Sequence, residues 1–330
     1  MRGFAAYDGG WYYSVAVHGY PAEGSAANAF YPLFPLLVSG AKVVHVDTVM
    51  FGVALNTLLT GTAAAFLFLL GRDYFGGQER ARDSVWWFLF FPTAFFLVML
   101  YSEALFCALS FAAFYFARKR RWWAAGVCLA LVTAVRFPGL IVAGAVAVEY
   151  LASRWERGRL RLDRQAWWFA LAPLGFAVYA WFAYARYRDP LMMFHAYSLG
   201  EWPYQHLNPN IMATVWNQVH VVVGNITGTG GWQEPLMSLA MWLGAVALTA
   251  YGARKLPISY TAYSVITLLV IVANDNFVSV NRYLLPLFPI FLLLTKLTQD
   301  KHIPRAPLLG VSAALMGFWL LLFVNGYWVA

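Results

Sequence analysis

Apolar stretches separated by short charged segments fill most of this 330-residue chain. Each stretch has the length and composition of a full or partial membrane helix. They cover residues 47–71, 84–100, 103–117, 124–136, 138–151, 165–185, 235–252, 257–273, 283–297 and 306–325. This pattern predicts an all-α, multi-pass integral membrane protein with about ten transmembrane or half-membrane helices. The composition agrees, because only 12% of the residues are charged, about half the fraction of a soluble domain.

We expect a single membrane domain over residues 1–330. It divides into an external loop with an interfacial helix (1–46), helices with two short hairpins (47–185), a second external loop (187–234) and C-terminal helices (235–330). The orientation follows from the basic residues, since 17 of the 23 Lys and Arg lie in segments 71–83, 118–121, 154–164, 254–255 and 296–305. Cytoplasmic loops collect basic residues, so segments 1–46 and 187–234 are predicted to lie outside.

The spacing of the basic segments predicts unusually short helices between residues 83 and 154. Successive segments are only about 32 to 34 residues apart, whereas two full spans need roughly 20 residues each. Each interval therefore predicts a short hairpin, with its tip at "YSE" (101–103) or "RFPG" (136–139). Polar backbone at membrane depth requires a protein-walled or water-filled cavity. We expect a cavity open to the outside, with Glu103 and Arg136 near its floor.

An even number of spans would put both termini outside. The residues before Asp8 contain no signal-peptide hydrophobic region. The expectation is that one transmembrane helix precedes this sequence, so that residues 1–46 form the loop between two helices.

The first candidate for chemistry is Asp8, within "YDGGWYYSVAVHGY" (7–20). Asp-Gly-Gly is ordinary turn sequence, so one interpretation is a solvated turn residue in a loop. The other is a carboxylate held against aromatic walls, where partial desolvation would make it a better general base.

Two arginines in apolar surroundings are candidates for binding an anion. Arg136 forms either a structural pair with Glu103 or Glu149, or a site for phosphate, which suits a planar guanidinium. Arg282 either reaches the membrane interface or serves the same role.

The second external loop contains His195, His206 and His220 among several aromatic residues, namely Trp202, Tyr204, Trp216 and Trp232. Aromatic residues at this position typically lie at the lipid headgroups. A platform on which a sugar stacks is the alternative interpretation.

Several enzyme classes are excluded by missing motifs. The sequence contains no Gly-x-Ser-x-Gly, His-Glu-x-x-His, Walker or Asp-x-Asp motif, and no metal-binding spacing. Cys107 and Cys128 lie in apolar runs and are expected to be free thiols. The remaining chemistry is that of a carboxylate and arginines on the outer face, with no metal or other cofactor.

A series of motifs runs along the chain: "YDGGWYYSVAVHGY" (7–20), "AFYPLFPLL" (29–37), "FFPTAFFLVMLYSEALF" (90–106), "RRWWAAG" (120–126), "AVRFPGL" (134–140), "RDPLMMFHA" (188–196), "NRYLLPLFP" (281–289) and "GYWVA" (326–330). In these motifs and their order the chain resembles the PIG-V-like mannosyltransferases, bacterial relatives of the second GPI mannosyltransferase. Two positions depart from the family pattern. Tyr7 stands where the family has Trp before the aspartate, and Val135 stands where Thr often precedes the arginine.

The resemblance implies a GT-C type glycosyltransferase fold in the cell (plasma) membrane. It implies transfer of mannose from a polyprenyl-phosphate donor to a hydroxyl of a glycan, lipid or protein, on the outer face and with inversion. Asp8 inherits the role of general base, and Arg136 and Arg282 are candidates for the donor phosphate. Further cavity-lining candidates are Tyr7, Trp11, His18, Tyr20, Tyr101, Glu103 and His195. The partners expected are the donor, the acceptor and membrane lipids, and no nucleic acid.

Two alternative functions stay open. A transporter or flippase for a lipid-linked sugar would also need a cavity with a buried arginine, but the repeated halves typical of transporters are not visible. A non-catalytic subunit of a transferase complex would bind the donor without turning it over.

Overall fold

The computed structural model describes residues 2–156, 159–160, 162–199, 208, 210–227, 233–273, 277 and 279–329. The chain divides into two compact units. The first contains Met1–Tyr74 and Phe96–Pro203, and the second contains Phe75–Phe95 and Tyr204–Ala330. The expectation of one membrane domain over residues 1–330 stays a prediction.

The described residues are almost entirely helical. The α-helices are α1 (Asp8–His18), α2 (Leu33–Val38), α3 (Thr48–Phe75), α4 (Gln78–Leu89), α5 (Glu103–Arg118), α6 (Trp122–Thr133), α7 (Gly139–Ser153), α8 (Leu174–Tyr187), α9 (Met192–His195), α10 (Ile211–Thr227), α11 (Gln233–Gly252), α12 (Ile258–Ile271), α13 (Val280–Tyr283), α14 (Pro289–Asp300) and α15 (Arg305–Val324). 3₁₀ turns cover Arg2–Ala5, Ala26–Ala29, Ser39–Lys42, Ala94–Leu97 and Arg164–Leu171. A two-stranded antiparallel hairpin, β1 (Trp155–Glu156) and β2 (Arg159–Leu160), lies in the basic segment 154–164.

Four helical segments are long and apolar enough to cross a bilayer. They are Thr48–Phe75, Arg164–Tyr187, Gln233–Gly252 and Arg305–Val324. Each coincides with an apolar stretch of the sequence, because a run of about 20 apolar residues is what a span requires. The all-α class and the integral membrane character are thereby confirmed.

The short helices between residues 103 and 153 are also present. α5, α6 and α7 have 16, 12 and 15 residues, and α6 and α7 form the second expected hairpin around residues 134–138. The first hairpin differs from the expectation. The stretch 84–100 is not one helix, because α4 ends at Leu89 and Pro92, which has no backbone N–H, follows it. α4 belongs to the second unit and α5 to the first.

Two segments predicted as loops contain helices instead. Residues 8–18 form α1 despite Gly9 and Gly10, because Tyr12, Val15 and Ala16 are buried at helical spacing and their packing outweighs the low helix propensity of glycine. Within the second expected loop, α10 buries a stripe of residues four apart, namely Thr214, Gln218 and Val222. His206, Trp202, Tyr204 and Trp232 lie outside the described residues.

The core of the first unit is built around α6, which packs against α5, α7, α8 and the 3₁₀ turn Arg164–Leu171. Gly175 permits the close approach of α8, since a Cβ there would collide with the backbone at Ala130 of α6 and at Ala134 directly after it. In the second unit α14 packs against α4, α11 and α12. A hydrogen bond of 3.0 Å joins the buried hydroxyls of Ser84 on α4 and Thr295 on α14.

Candidate active site

Asp8 is the first residue of α1, and its side chain is partly exposed. Tyr7, directly before it, has a φ of 54°, in a region that residues other than glycine adopt rarely. Such backbone persists only where neighbouring contacts hold it, and it is common at functional sites. A carboxylate in the first turn is also stabilised by the helix dipole. The backbone therefore holds the Asp8 carboxylate at the N-terminal end of a short helix.

Gly9 allows the start of α1 to lie directly against the segment before α5. A Cβ at this position would meet Cε2 of Tyr101 at 3.3 Å and the backbone oxygen of Leu100 at 3.4 Å. Gly9 is buried, so a larger side chain would have no free space at this position. Gly9 thus permits close packing at the start of α1.

Hydrogen bonds fasten the residues before Asp8 to this same segment. The backbone N–H of Leu100 donates to the oxygen of Phe4 at 2.9 Å, and the Tyr101 hydroxyl donates to the oxygen of Ala6 at 2.9 Å. Asn56, buried in the middle of α3, donates its amide to the oxygen of Tyr101 at 2.9 Å. The segment 101–103, predicted as a hairpin tip, therefore supports the N-terminal end of α1, where Asp8 lies.

Tyr12 connects α1 to the start of α5. It lies one helical turn after Asp8, so the two side chains share a face of the helix, and its buried hydroxyl is 2.7 Å from the Ser102 hydroxyl. Asp8, Glu103 and Arg136 all act electrostatically on the Tyr12 phenol. The structure therefore gathers these side chains into one neighbourhood of the first unit.

Glu103 and Arg136 form a buried ion pair. Nη1 of Arg136 lies 2.6 Å from Oε1 of Glu103, and the exposed fractions of the side chains are 15% and 1%. This confirms the interpretation of Arg136 as a partner of Glu103 rather than of Glu149, which pairs with Arg118 at 2.8 Å. The two pairs join the starts and the ends of α5 and α7, so those helices run parallel. Binding of an anion by Arg136 stays a prediction.

The other aromatic and histidine candidates on α1 are spread along the length of the helix. His18 is the last residue of α1, about 15 Å along the helix axis from Asp8, and is exposed. Trp11 stacks against Phe30 with ring centroids 6.1 Å apart. α1 therefore has Asp8 at one end and His18 at the other.

Tyr20 belongs to a small aromatic core beyond the end of α1. Its hydroxyl donates to the backbone oxygen of Phe30 at 2.5 Å, and its ring packs against Tyr31, Tyr179 and Met193. Burial raises the pKa of the Tyr20 phenol well above its ordinary value, and the neighbouring Tyr179 raises it further. Tyr20 is consequently a neutral, structural hydroxyl.

His195, on α9, forms an exposed pair with Asp189. Nδ1 of His195 lies 2.6 Å from Oδ2 of Asp189. Desolvation works toward a higher pKa for Asp189, but the hydrogen bonds from His195 and from the Leu191 N–H outweigh it and hold that pKa below its ordinary value. An ionised carboxylate only accepts, so Nδ1 of His195 donates and Nε2 is directed elsewhere.

Arg282 lies in the second unit, on α13, and is 2% exposed. This burial does not fit a side chain that reaches the membrane interface. Nη2 donates to the Ser279 hydroxyl at 3.4 Å, and Cζ lies 5.3 Å from the centre of the Tyr283 ring. Its role toward a phosphate stays a prediction.

Sequence reasoning missed three residues of the first unit: Tyr12, Asn56 and Asp189. Tyr12 follows Asp8 by one turn, which identifies it only once the segment is known to be helical. Asn56 had a visible signal, as a lone amide inside an apolar span. In the part of the chain that the structure describes, no three side chains of His, Cys, Asp or Glu could hold a metal ion together.

Comparisons with known proteins agree with this picture. Residues 1–207 match the profile of the family described as Mannosyltransferase (PIG-V). Similar curated proteins are the GPI alpha-1,6-mannosyltransferase 2 of Cricetulus griseus, 34% identical over 154 residues, and those of Rattus norvegicus and Mus musculus, each 33% identical over 154 residues. Each match covers 44% of this chain and only 31% of the relative. No solved structure matches the chain.

Proposed function

This chain belongs to the PIG-V mannosyltransferase family, and from that premise we propose that it transfers a mannosyl residue from a polyprenyl-phosphate donor to a hydroxyl acceptor. Asp8 acts as the general base. The reaction takes place on the outer face of the cell membrane, inverts the anomeric centre and uses a fold of the GT-C type.

The proposed step needs one base and one stabiliser of negative charge. The Asp8 carboxylate takes the proton of the acceptor hydroxyl while that oxygen forms its bond to the anomeric carbon. The bond between the anomeric carbon and the phosphate oxygen breaks, and the electron pair leaves with the lipid phosphate. Because lipid phosphate is already a good leaving group, cationic donors suffice to stabilise it.

The observation that best supports Asp8 is its combination of access and fixed position. The carboxylate is partly exposed, yet the helix that carries it is fastened through Gly9, Tyr12 and the residues before Tyr7. A general base must reach the proton it removes and must also be held in place. Glu103, by contrast, is 1% exposed and already paired, so it suits support better than proton transfer.

Arg136 is the candidate in the first unit for stabilising the phosphate. Its guanidinium is held in place by Glu103, and a planar guanidinium suits a phosphate. Arg282 keeps the same proposed role from the second unit. Tyr7, Trp11, His18, Tyr20, Tyr101, Glu103 and His195 are proposed to line or support the cavity.

The test is transfer of labelled mannose from polyprenyl-phosphate mannose in proteoliposomes that contain the full chain. For Asp8→Asn we expect the rate to fall by about 10²- to 10⁴-fold, the usual contribution of a positioned general base. The matched control is Asp47→Asn, an exposed residue whose carboxylate accepts from the Met50 N–H at 2.9 Å. Asn caps a helix as well as Asp does, so the control should retain full activity.

Each outcome decides between the functions considered. Full activity in Asp8→Asn, with normal membrane insertion, would reject Asp8 as the base. A parent protein that moves the intact donor across the bilayer without transferring mannose would be a transporter or flippase. A parent that binds the donor and does neither would be a subunit that serves another transferase.

A further inference from the structure

A groove in the second unit has no part in the proposed reaction. Its lining comes from Trp86 of α4, from Phe90 directly after that helix, and from Arg305, Leu309, Gly310 and Ala313 of α15. Its volume is about 310 Å³, at the lower end of the roughly 300–1,000 Å³ that small-molecule sites occupy. The groove is apolar over its length and has one cation at one end.

The groove exists because α15 has no side chain at residue 310. A Cβ on Gly310 would meet no atom within 4 Å. Arg305, Leu309 and Ala313 follow one another at intervals of four and form a stripe about 12 Å long on one face of the helix. The Ser312 hydroxyl donates to the backbone oxygen of Phe90 at 2.6 Å, which fastens α15 to the end of α4.

Its position favours a hydrocarbon chain as the occupant. Only 11% of the apolar window of α15 is buried inside the protein, so the outer surface of this spanning helix faces lipid. Trp86 in the last turn of α4 and Phe90 directly after the helix stack with ring centroids 5.6 Å apart. This pair supplies an aromatic wall along which an extended acyl chain can lie.

The charge at the end of the groove favours an anionic headgroup. The Arg305 side chain is 40% exposed and pairs with Asp83, which is 7% exposed. Gln299 donates to the other oxygen of Asp83 at 2.6 Å. This hydrogen bond fixes the position of the carboxylate that pairs with Arg305. Segments 79–83 and 296–305 together contain five Lys or Arg and three Asp or Glu. The excess of cations complements a phosphate at the membrane surface.

We propose that this groove binds one acyl chain of an anionic phospholipid, with the lipid phosphate held at Arg305. The residues that line the groove belong to the second unit, whereas Asp8, Glu103 and Arg136 belong to the first. The proposal does not depend on the proposed function and would stand if mannosyl transfer were disproved.

The test uses the full chain in nanodiscs and a phosphatidylglycerol probe with a photoactivatable acyl chain. A phosphatidylcholine probe with the same chain is the comparison, and labelled peptides are mapped by mass spectrometry. We expect phosphatidylglycerol to label the α4 and α15 segments that line the groove more strongly than phosphatidylcholine does. In Gly310→Leu, which fills the groove, this labelling should fall by about tenfold.

Gly317→Leu is the matched control. It lies on the same helix, a Cβ there also meets no atom within 4 Å, and the gain in helix propensity is the same. Labelling should stay at the parent level in this variant. Ala313→Leu fills the groove from the next turn and replaces Gly310→Leu if that variant is not recovered. Unchanged labelling in a filled groove would overturn the site, and equal labelling by both lipids would overturn the role of the headgroup.

Discussion

Arg136 of the first unit and Arg282 of the second unit have similar sequence contexts, but their surroundings differ in the structure. Each arginine is followed directly by an aromatic residue and, within four residues, by a proline. Arg136 pairs with the Glu103 carboxylate at 2.6 Å. Arg282 donates to the Ser279 hydroxyl at 3.4 Å and lies beside the Tyr283 ring.

The difference teaches that burial of an arginine does not by itself identify an anion site. A carboxylate at 2.6 Å stabilises a guanidinium strongly, whereas a hydrogen bond at 3.4 Å is long and weak. In the first unit the Glu103–Arg136 pair and Asp8 all act electrostatically on Tyr12. The same region lies inside residues 1–207, which match the family profile, and Arg282 lies outside them.

The largest effect is expected from Glu103→Gln. The change leaves the charge of Arg136, whose side chain is only 15% exposed, without its carboxylate. Breaking a buried pair from one side costs about 3–5 kcal/mol. Thermal unfolding of the purified protein in detergent measures this loss.

Glu149→Gln is the control for that measurement. It makes the same chemical change in the other pair of α5 and α7, but the arginine left behind, Arg118, is 37% exposed and can be solvated. We expect a loss of about 1 kcal/mol or less. Equal losses of stability in the two variants would show that the buried Glu103–Arg136 pair contributes no more to stability than the Arg118–Glu149 pair does.

A smaller effect is expected from Asn56→Leu. The buried Asn56 amide donates to the backbone oxygens of Met99 and Tyr101, and its removal leaves buried carbonyls without this donor. The cost should be about 1–3 kcal/mol, even though leucine is more apolar than asparagine. Thr57→Val, at an exposed position of the same helix, should change stability by less than about 0.5 kcal/mol. An Asn56→Leu protein as stable as the parent would contradict the view that these hydrogen bonds support the candidate site.

The smallest effect is expected from Ser279→Ala in the second unit. The hydroxyl accepts a long hydrogen bond from Arg282, and alanine keeps the β-carbon at a φ of 64°. The loss should be about 0.5 kcal/mol or less, by the same unfolding measurement. A loss as large as that of Glu103→Gln would mean that the Ser279 hydroxyl matters as much to Arg282 as the Glu103 carboxylate does to Arg136.

The spans and the short helices were predictable, whereas the two helices hidden in expected loops were not. The apolar runs that correspond to α3, α11 and α15 are long enough to be unambiguous. α1 has two glycines directly after its first residue, and α10 carries polar residues on its buried stripe. Their helical form depends on the residues that they pack against, and the pattern of apolar residues along the sequence does not show those partners.

The candidate site was predictable in part. Glu103 was one of the two partners considered for Arg136, because an arginine in an apolar hairpin requires a carboxylate or a cavity. The fastening of α1 through Tyr12 was not foreseen. Whether Asp8 acts as a base and Arg136 as a phosphate ligand stays a prediction.

The amino-acid sequence by itself determined that this is an all-α membrane protein with long spans and a series of short helices. Hydrophobic length is a property of consecutive residues, so it can be read along the chain. Only the tertiary structure decided which polar groups meet. Tyr12 and Ser102 are 90 residues apart, and Glu103 and Arg136 are 33 apart. Such contacts depend on how helices pack, because each buried polar group must find its partner in space rather than in sequence.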